Sequence, residues 1–385
     1  MNGLYEMLSG FWRDDLKASR ALVAEHGDRA PILMSVLFQK AIQKPRAERN
    51  AMAIFSQVYA DAAALGEDAI GTDFSFVRFT HSKRLRMFTD VVDRATHGLF
   101  GKQLFDPVSM QQVFHTLAFR RAGAKTFQVA PGLGRELLDT DVRGLSTTDL
   151  HAPYEAFRIW VPPELGLRVW VAGTGWHPLA EVYAVRDGGS TRSGWRFLFH
   201  GLSKNNLAFD NAITFHGLYD EEDKPLEELA AEQQRLMAQH AEGYANDPEQ
   251  TAVTNLRWAI NVILYLTCTN VEREHRYLDP RAAKLVAKTN AASGKTRGKM
   301  KAKLRLLDRR QVIYLGGSVA SRRSGEQTKL FRVRGHMHGY WTGEGLRKLS
   351  KEDREAKRSD LFKVKWVQPY WKGEGDESNP VVLMR

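Results

Sequence analysis

The sequence predicts an α+β protein with an N-terminal helical lobe, a central antiparallel sheet with packed helices, and a small basic β module at the C-terminus. Three observations carry that reading. Apolar residues recur at helical spacing through about residue 122. From about residue 124 the texture changes to short aromatic and β-branched runs broken by Gly, Pro, Asp and Asn. Positive charge then gathers beyond residue 270. Residues 1–270 hold 28 Lys and Arg against 32 Asp and Glu, a net of −4, whereas residues 271–385 hold 28 against 13, a net of +15.

Taken in order, Leu4, Leu8 and Phe11 repeat at i, i+4, i+7, and Met52, Phe55, Val58 and Tyr59 form a second stripe. Leu85, Phe88, Val91 and Val92 continue the pattern, and Pro107 is placed to open the helix carrying Val113, Phe114 and Leu117. Domain boundaries are therefore expected at 1–122 for the helical lobe, 123–270 for the α+β centre and 271–385 for the basic module. In the centre, KTFQVAP, YEAFRIWVP, LRVWVAG, EVYAVRD, GWRFLFHG and NAITFHGLY read as strands, with Asp187-Gly188-Gly189-Ser190 as a hairpin turn. Two helices follow, from Leu226 to Glu242 and from Thr254 to Cys268, the second apolar almost all round and so suited to burial. Residues 286–303 carry six basic and no acidic side chains among small residues, and read as a mobile basic loop. QVIYLGG, TKLFRVRGHMHGYW and LFKVKWVQPYW are three further strands, with a helix-like charged segment from Leu346 to Ser359 between the last two.

Composition excludes several classes. One cysteine, Cys268, can form neither an internal disulfide nor a cysteine-rich metal site, which fits a reducing, cytoplasmic setting. The N-terminus lacks the n-, h- and cleavage regions of a secretory signal, and the apolar run from Trp258 to Leu266 is too short to span a bilayer, so no membrane partner is expected. Gly294-Lys295-Thr296 imitates the end of a phosphate loop, but position 289 is Thr289 instead of the required glycine. Gly132-Leu133-Gly134 lacks a third glycine at dinucleotide-binding spacing and reads as a tight turn into a helix. No cofactor and no metal are expected.

The strongest constellation is Phe331 to Trp341. On an uninterrupted strand Arg332, Arg334, His336 and His338 share one face, opposite Phe331, Val333 and Met337. Guanidinium forks suit phosphate oxygens, and a histidine beside a bound phosphate is placed for proton transfer. Lys363 and Lys365 repeat the basic face on the following strand, and Tyr340, Trp341, Tyr370 and Trp371 offer flat surfaces for unstacked bases. The candidate nucleic-acid contacts are Arg332, Arg334, His338, Lys363, Lys365, Tyr340, Trp341, Tyr370 and Trp371, together with Lys295, Arg297, Lys299, Lys301 and Lys303. The candidate catalytic set, if the protein is an enzyme, is His336, Arg334 and Lys372.

Val333-Arg334-Gly335-His336, followed by Trp366-Val367-Gln368-Pro369-Tyr370-Trp371-Lys372-Gly373, resembles a C-terminal signature of bacterial, plasmid and phage proteins of uncharacterised activity. The shared positions are Arg334, Gly335, His336, Pro369, Lys372 and Gly373; Met337 stands where an aromatic is more usual. The resemblance implies a phage or mobile-element context and no particular reaction. The leading expectation is a nucleic-acid-associated protein that binds the phosphate backbone of RNA or DNA. A metal-independent ribonuclease, toxin or defence effector built on His336, and a component that docks an acidic protein partner, are the alternatives.

Overall fold

The computed structural model describes residues 4–43, 51–70, 74–95, 107–142, 145–171, 175–188, 193–201, 213–219, 225–240, 242–277, 280–305, 311–317, 330–333, 336–343, 349–350, 353–354, 357, 361–367 and 370–373. The helices are α1 (Leu4–His26), α2 (Ala30–Ile42), α3 (Ala51–Ile70), α4 (Phe76–Thr80), α5 (Lys83–Ala95), α6 (Pro107–Arg121), α7 (Pro131–Leu138), α8 (Leu226–His240), α9 (Glu242–Ala245), α10 (Thr251–Thr267), α11 (Pro280–Ala291) and α12 (Gly294–Arg305). The strands are β1 (Thr126–Val129), β2 (Ala156–Trp160), β3 (Arg168–Val171), β4 (Gly175–Gly188), β5 (Ser193–Gly201), β6 (Ile213–Tyr219), β7 (Arg273–Tyr277), β8 (Gln311–Leu315), β9 (Leu330–Val333), β10 (His336–Trp341), β11 (Phe362–Val367) and β12 (Tyr370–Gly373). The protein is mixed α+β, with an N-terminal helical region.

Two compact units divide the chain, the first made of Met1–Ala124, Tyr154–Arg158 and Arg168–Glu222. Its core is built by the stripes legible in the sequence. Val58, Ala60, Ala63 and Leu65 of α3, Phe79 of α4, Phe88 and Val92 of α5, and Phe114 and Leu117 of α6 are buried together with Tyr183, Val185 and Leu198 of the sheet. The small residues of α3 let neighbouring helices come close, and Pro107 opens α6, where a missing N–H costs nothing. β4 and β5 form an antiparallel hairpin with Gly188 opposite Ser193, and β6 and β3 add antiparallel partners on either flank. The turn itself, 189–192, lies outside the described residues.

The helical lobe also buries charge. Asp61 is 3% exposed and accepts hydrogen bonds from Ser19 Oγ and from Gln57 Nε2, the latter at 2.8 Å. Burial raises its carboxyl from 3.8 to about 6, with a smaller push from Asp15, while the bonds from Ser19 and Gln57 pull the other way. Because the folded value lies above the unfolded one, this group favours folding most below about pH 4, and that contribution fades as pH rises through 6. Asp61→Asn keeps a side-chain acceptor for Ser19 and removes the charge. It is therefore expected to raise the melting temperature at pH 8 by several degrees and much less at pH 5. Thermal unfolding at the two pH values checks this, and equal shifts at both would contradict it.

The second unit comprises Lys125–Pro153, Ile159–Leu167 and Asp223–Arg385. Here β1 pairs in parallel with β8, and β7 pairs antiparallel with β8. This differs from the sequence expectation in one way: QVIYLGG sits beside β1 instead of in a separate C-terminal sheet. The partners are nearly two hundred residues apart in sequence, so no local pattern could pair them. α10 is buried along almost its whole length, as its apolar composition demands. Asn261, the polar interruption in that run, is fully buried and donates to the backbone carbonyls of Leu137 at 2.7 Å and Thr140 at 3.1 Å, satisfying acceptors at the C-terminal end of α7. Trp258 Nε1 donates to Gly134 O at 3.2 Å on the same helix.

Residues 286–303, expected as a mobile loop, belong instead to a helical hairpin, α11 and α12, joined at Ala292 and Ser293. The physical reason is propensity. Ala, Lys and Arg are among the best helix formers, Pro280 occupies the first position of α11, and Gly294 takes up a positive φ of 53° at the link. The segment from Leu346 to Ser359, expected to be helix-like, lies largely outside the described residues.

Candidate nucleic-acid interface

The C-terminal strands fold as a two-stranded antiparallel ribbon in two ladders. β9 pairs with β12, and β10 pairs with β11. Val333 is opposite Tyr370 in the first ladder, and His336 is opposite Val367 in the second. Arg334 and Gly335, at the centre of the row expected from Arg332 to His338, lie outside the described residues.

In the second ladder the two faces separate cleanly, since residues directly opposite one another in an antiparallel pair share a face. Met337, Val364 and Trp366 are buried, with Trp366 only 1% exposed. Trp366 packs edge-on against Tyr265 of α10 at 5.3 Å between ring centroids and directs Nε1 at Thr140 Oγ1, 3.4 Å away. Its backbone is held on both sides by one side chain: Asn270 Nδ2 donates to Trp366 O at 3.0 Å, and Trp366 N donates to Asn270 Oδ1 at 3.3 Å. Met337 touches Cys268, whose thiol donates to Leu264 O at 3.2 Å and is pushed up to about 12 by burial. Cys268 is thus a buried packing residue.

Gly339 explains the close fit on this face. A β-carbon there would drive into the ring of Phe362, which lies against the glycine backbone and meets Trp341 edge-on at 5.3 Å. Trp341, a candidate for base stacking, takes part in this packing and is half-buried.

The opposite face of the ladder presents His338 opposite Lys365 and Tyr340 opposite Lys363. His338 and Lys363 are exposed, and Tyr340 and Lys365 half-buried. The rings of His338 and Tyr340 are stacked, with centroids 6.4 Å apart and planes within 13°. The Tyr340 hydroxyl lies 3.5 Å from Thr269 Oγ1. Four of the predicted contacts, His338, Tyr340, Lys363 and Lys365, are therefore brought together. Of the others, Arg332 stands opposite Trp371, Tyr370 opposite Val333 and Lys372 opposite Phe331, all on the first ladder. His336 begins the second ladder, opposite Val367.

The second basic element is the helical hairpin. Residues 280–305 contain nine Lys and Arg and no Asp or Glu. Lys284, Lys288, Lys295, Arg297, Lys299, Lys301 and Lys303 are exposed, and among the described residues none of these seven is ion-paired. On α12, Lys295, Lys299 and Lys303 follow at i, i+4 spacing, as do Arg297 and Lys301. Like charges so spaced repel by a few tenths of a kcal/mol per pair. A bound polyanion removes that repulsion.

Other polar groups are enclosed. Glu181 and His200, each about 2% exposed at the side chain or close to it, approach at 3.1 Å, with Arg158 Nη1 3.4 Å and Tyr183 hydroxyl 3.2 Å from the same carboxylate. No sequence spacing announced this cluster, which the strand pairing of β4 and β5 assembles by placing Glu181 opposite His200. His115 is fully buried and its imidazole is lowered to about 3 by that burial, so it is neutral at physiological pH. Among the described residues no three His, Cys, Asp or Glu side chains are grouped to hold a metal, and no helix is long and apolar enough to cross a membrane.

Comparison with known proteins supplies the family. A crystal structure of AcrVA2 aligns with 13% identity and a TM-score of 0.44 over 88% of this chain and 97% of that chain. No curated protein matches the sequence. A family model described as AcrVA2-like, the anti-CRISPR type V subtype A2 family, matches residues 127–373, which is well over half of the chain and includes the β10–β11 ladder and the helical hairpin. By that match the protein belongs to the AcrVA2-like anti-CRISPR type V subtype A2 family of phage and mobile-element proteins.

Proposed function

We propose that this protein counters a type V CRISPR defence by holding nucleic acid on the basic surface of its second unit. The observation that supports this most is α12, a helix whose five exposed cations, Lys295, Arg297, Lys299, Lys301 and Lys303, form no ion pair among the described residues. Together with Lys363 and Lys365 on the ribbon, it offers fixed positive charge to a phosphate chain. Family membership supplies the context, since an anti-CRISPR protein acts on effector complexes that contain nucleic acid.

Fluorescence-anisotropy titrations with single-stranded and duplex oligonucleotides over a range of salt concentrations test this reading. Affinity should fall linearly with salt on logarithmic axes, with a slope of about −0.7 for every phosphate neutralised on a single strand. Absence of salt-sensitive binding to RNA and DNA alike would overturn it, and stable capture of an acidic protein at low nucleic-acid content would replace it with docking to that protein. Cleavage of the RNA that is lost in His336→Ala, with affinity retained, would move the reading to a metal-independent ribonuclease using His336, Arg334 and Lys372.

A further inference from the structure

The geometry points to a slot for a single unstacked nucleobase between the rings of His338 and Tyr340, and this rests on the nucleic-acid reading above. Residues i and i+2 on one face of a strand stand about 6.7 Å apart. Here both positions carry a planar ring, and the rings are stacked with centroids 6.4 Å apart and planes within 13°. Stacked bases in one strand repeat at about 3.4 Å. The centroid separation sets the widest gap between the ring planes at 6.4 Å, just under twice that repeat, and outward rotation of the exposed His338 side chain opens the remainder.

Several features hold the opening in place. The strand between the rings is Gly339, pinned from behind by Phe362, and the Trp341–Phe362 contact fixes the next residue on that side. Thr269 lies beside the Tyr340 hydroxyl and restricts the swing of that ring. The opening faces outward, since His338 is exposed and Tyr340 only half-buried. Lys365 and Lys363 stand directly across from the two rings, where the phosphates flanking an inserted base would lie.

The same lysines choose among occupants. Two parallel rings also accept an arginine guanidinium or a proline from a protein, but two ammonium groups beside the slot repel the first and offer nothing to the second. A base on an anionic chain satisfies both rings and both charges. A paired base is already stacked within its duplex and cannot enter without being flipped out at a cost of a few kcal/mol, so the slot selects single strands.

A short single-stranded oligonucleotide carrying one 2-aminopurine tests this with the full-length protein. Binding should quench the 2-aminopurine fluorescence. Tyr340→Ala should abolish the quenching and weaken binding roughly 5- to 150-fold, while Tyr340→Phe, which keeps the ring, should retain both. His338→Ala, at an exposed position, gives the same test from the other side of the slot should Tyr340→Ala disturb the ribbon. Duplex of the same sequence should bind through charge alone and be indifferent to either substitution. Salt-dependent binding without quenching, equal for wild type and both alanine variants, would overturn the slot and leave the basic-surface reading intact. Failure of every oligonucleotide to bind would instead remove the basic-surface reading, and the slot with it. Tight binding of a proline- or arginine-rich peptide, lost in Tyr340→Ala and not displaced by the oligonucleotide, would assign the slot to a protein.

Discussion

Replacing Trp366 with alanine is expected to destabilise the second unit by about 3–5 kcal/mol, the cost of removing a fully buried large aromatic side chain. The effect should be larger than for any other ribbon residue, because several anchors meet at this one. Trp366 packs on Tyr265, points its indole nitrogen at Thr140 and stands opposite Met337 across the ladder. A two-stranded ribbon has too little core to hold itself in water. Without the indole, β10 and β11 are expected to separate from α10, exposing Met337 and Cys268. Denaturant unfolding measures the loss directly, and the rate of Cys268 modification by a thiol reagent reports the exposure. A change under about 1 kcal/mol with Cys268 still protected would show that the ribbon is held elsewhere.

The second large effect is electrostatic. Changing Lys295, Arg297, Lys299, Lys301 and Lys303 together to glutamine lowers the net charge of the chain by five, from +11. If all five meet phosphates, the salt slope for a single strand should become shallower by about 3.5. Affinity at low salt should fall by about three orders of magnitude, on the order of 0.8 kcal/mol for each charge. Stability should hold or rise slightly, because the substitutions remove like-charge pairs at i, i+4 spacing without touching a buried group. Circular dichroism and thermal unfolding check the second half of that expectation. The combination of intact folding with lost affinity separates a binding surface from a structural one.

Much of the fold was legible because its determinants are local. The stripe from Leu85 to Val92, the strands around Tyr183 and Phe197, the Gly188 hairpin and the buried helix at Trp258 all follow from period and composition. The pairing of β1 with β8 was not, since nothing in either run encodes a partner so far along the chain. The basic segment at residues 286–303 reads as mobile from its small residues and charge, yet Ala, Lys and Arg between Pro280 and Gly294 are also the ingredients of a helix.

The candidate site was legible in part for a similar reason. Alternation correctly separated Met337, Val364 and Trp366 from His338, Tyr340, Lys363 and Lys365, because a ladder imposes it. The cross-strand matches of His338 with Lys365 and of Tyr340 with Lys363 needed the register, which depends on a connection of some twenty residues between the strands. The contact of Trp341 with Phe362 is not legible in alternation either, because it depends on the room that Gly339 leaves for that ring. An odd or even position gives a face, but only the neighbouring strand decides whether that face is covered.

The most direct test of the basic surface is a protection experiment in bacteria whose type V CRISPR system targets an infecting phage. Cells would express either the wild-type protein or the five-glutamine variant of α12 at matched levels. If the cations of α12 carry the activity, wild type restores phage growth and the variant, though folded and equally abundant, does not. Full protection of the phage by the variant would contradict the claim and place the activity on another part of the molecule.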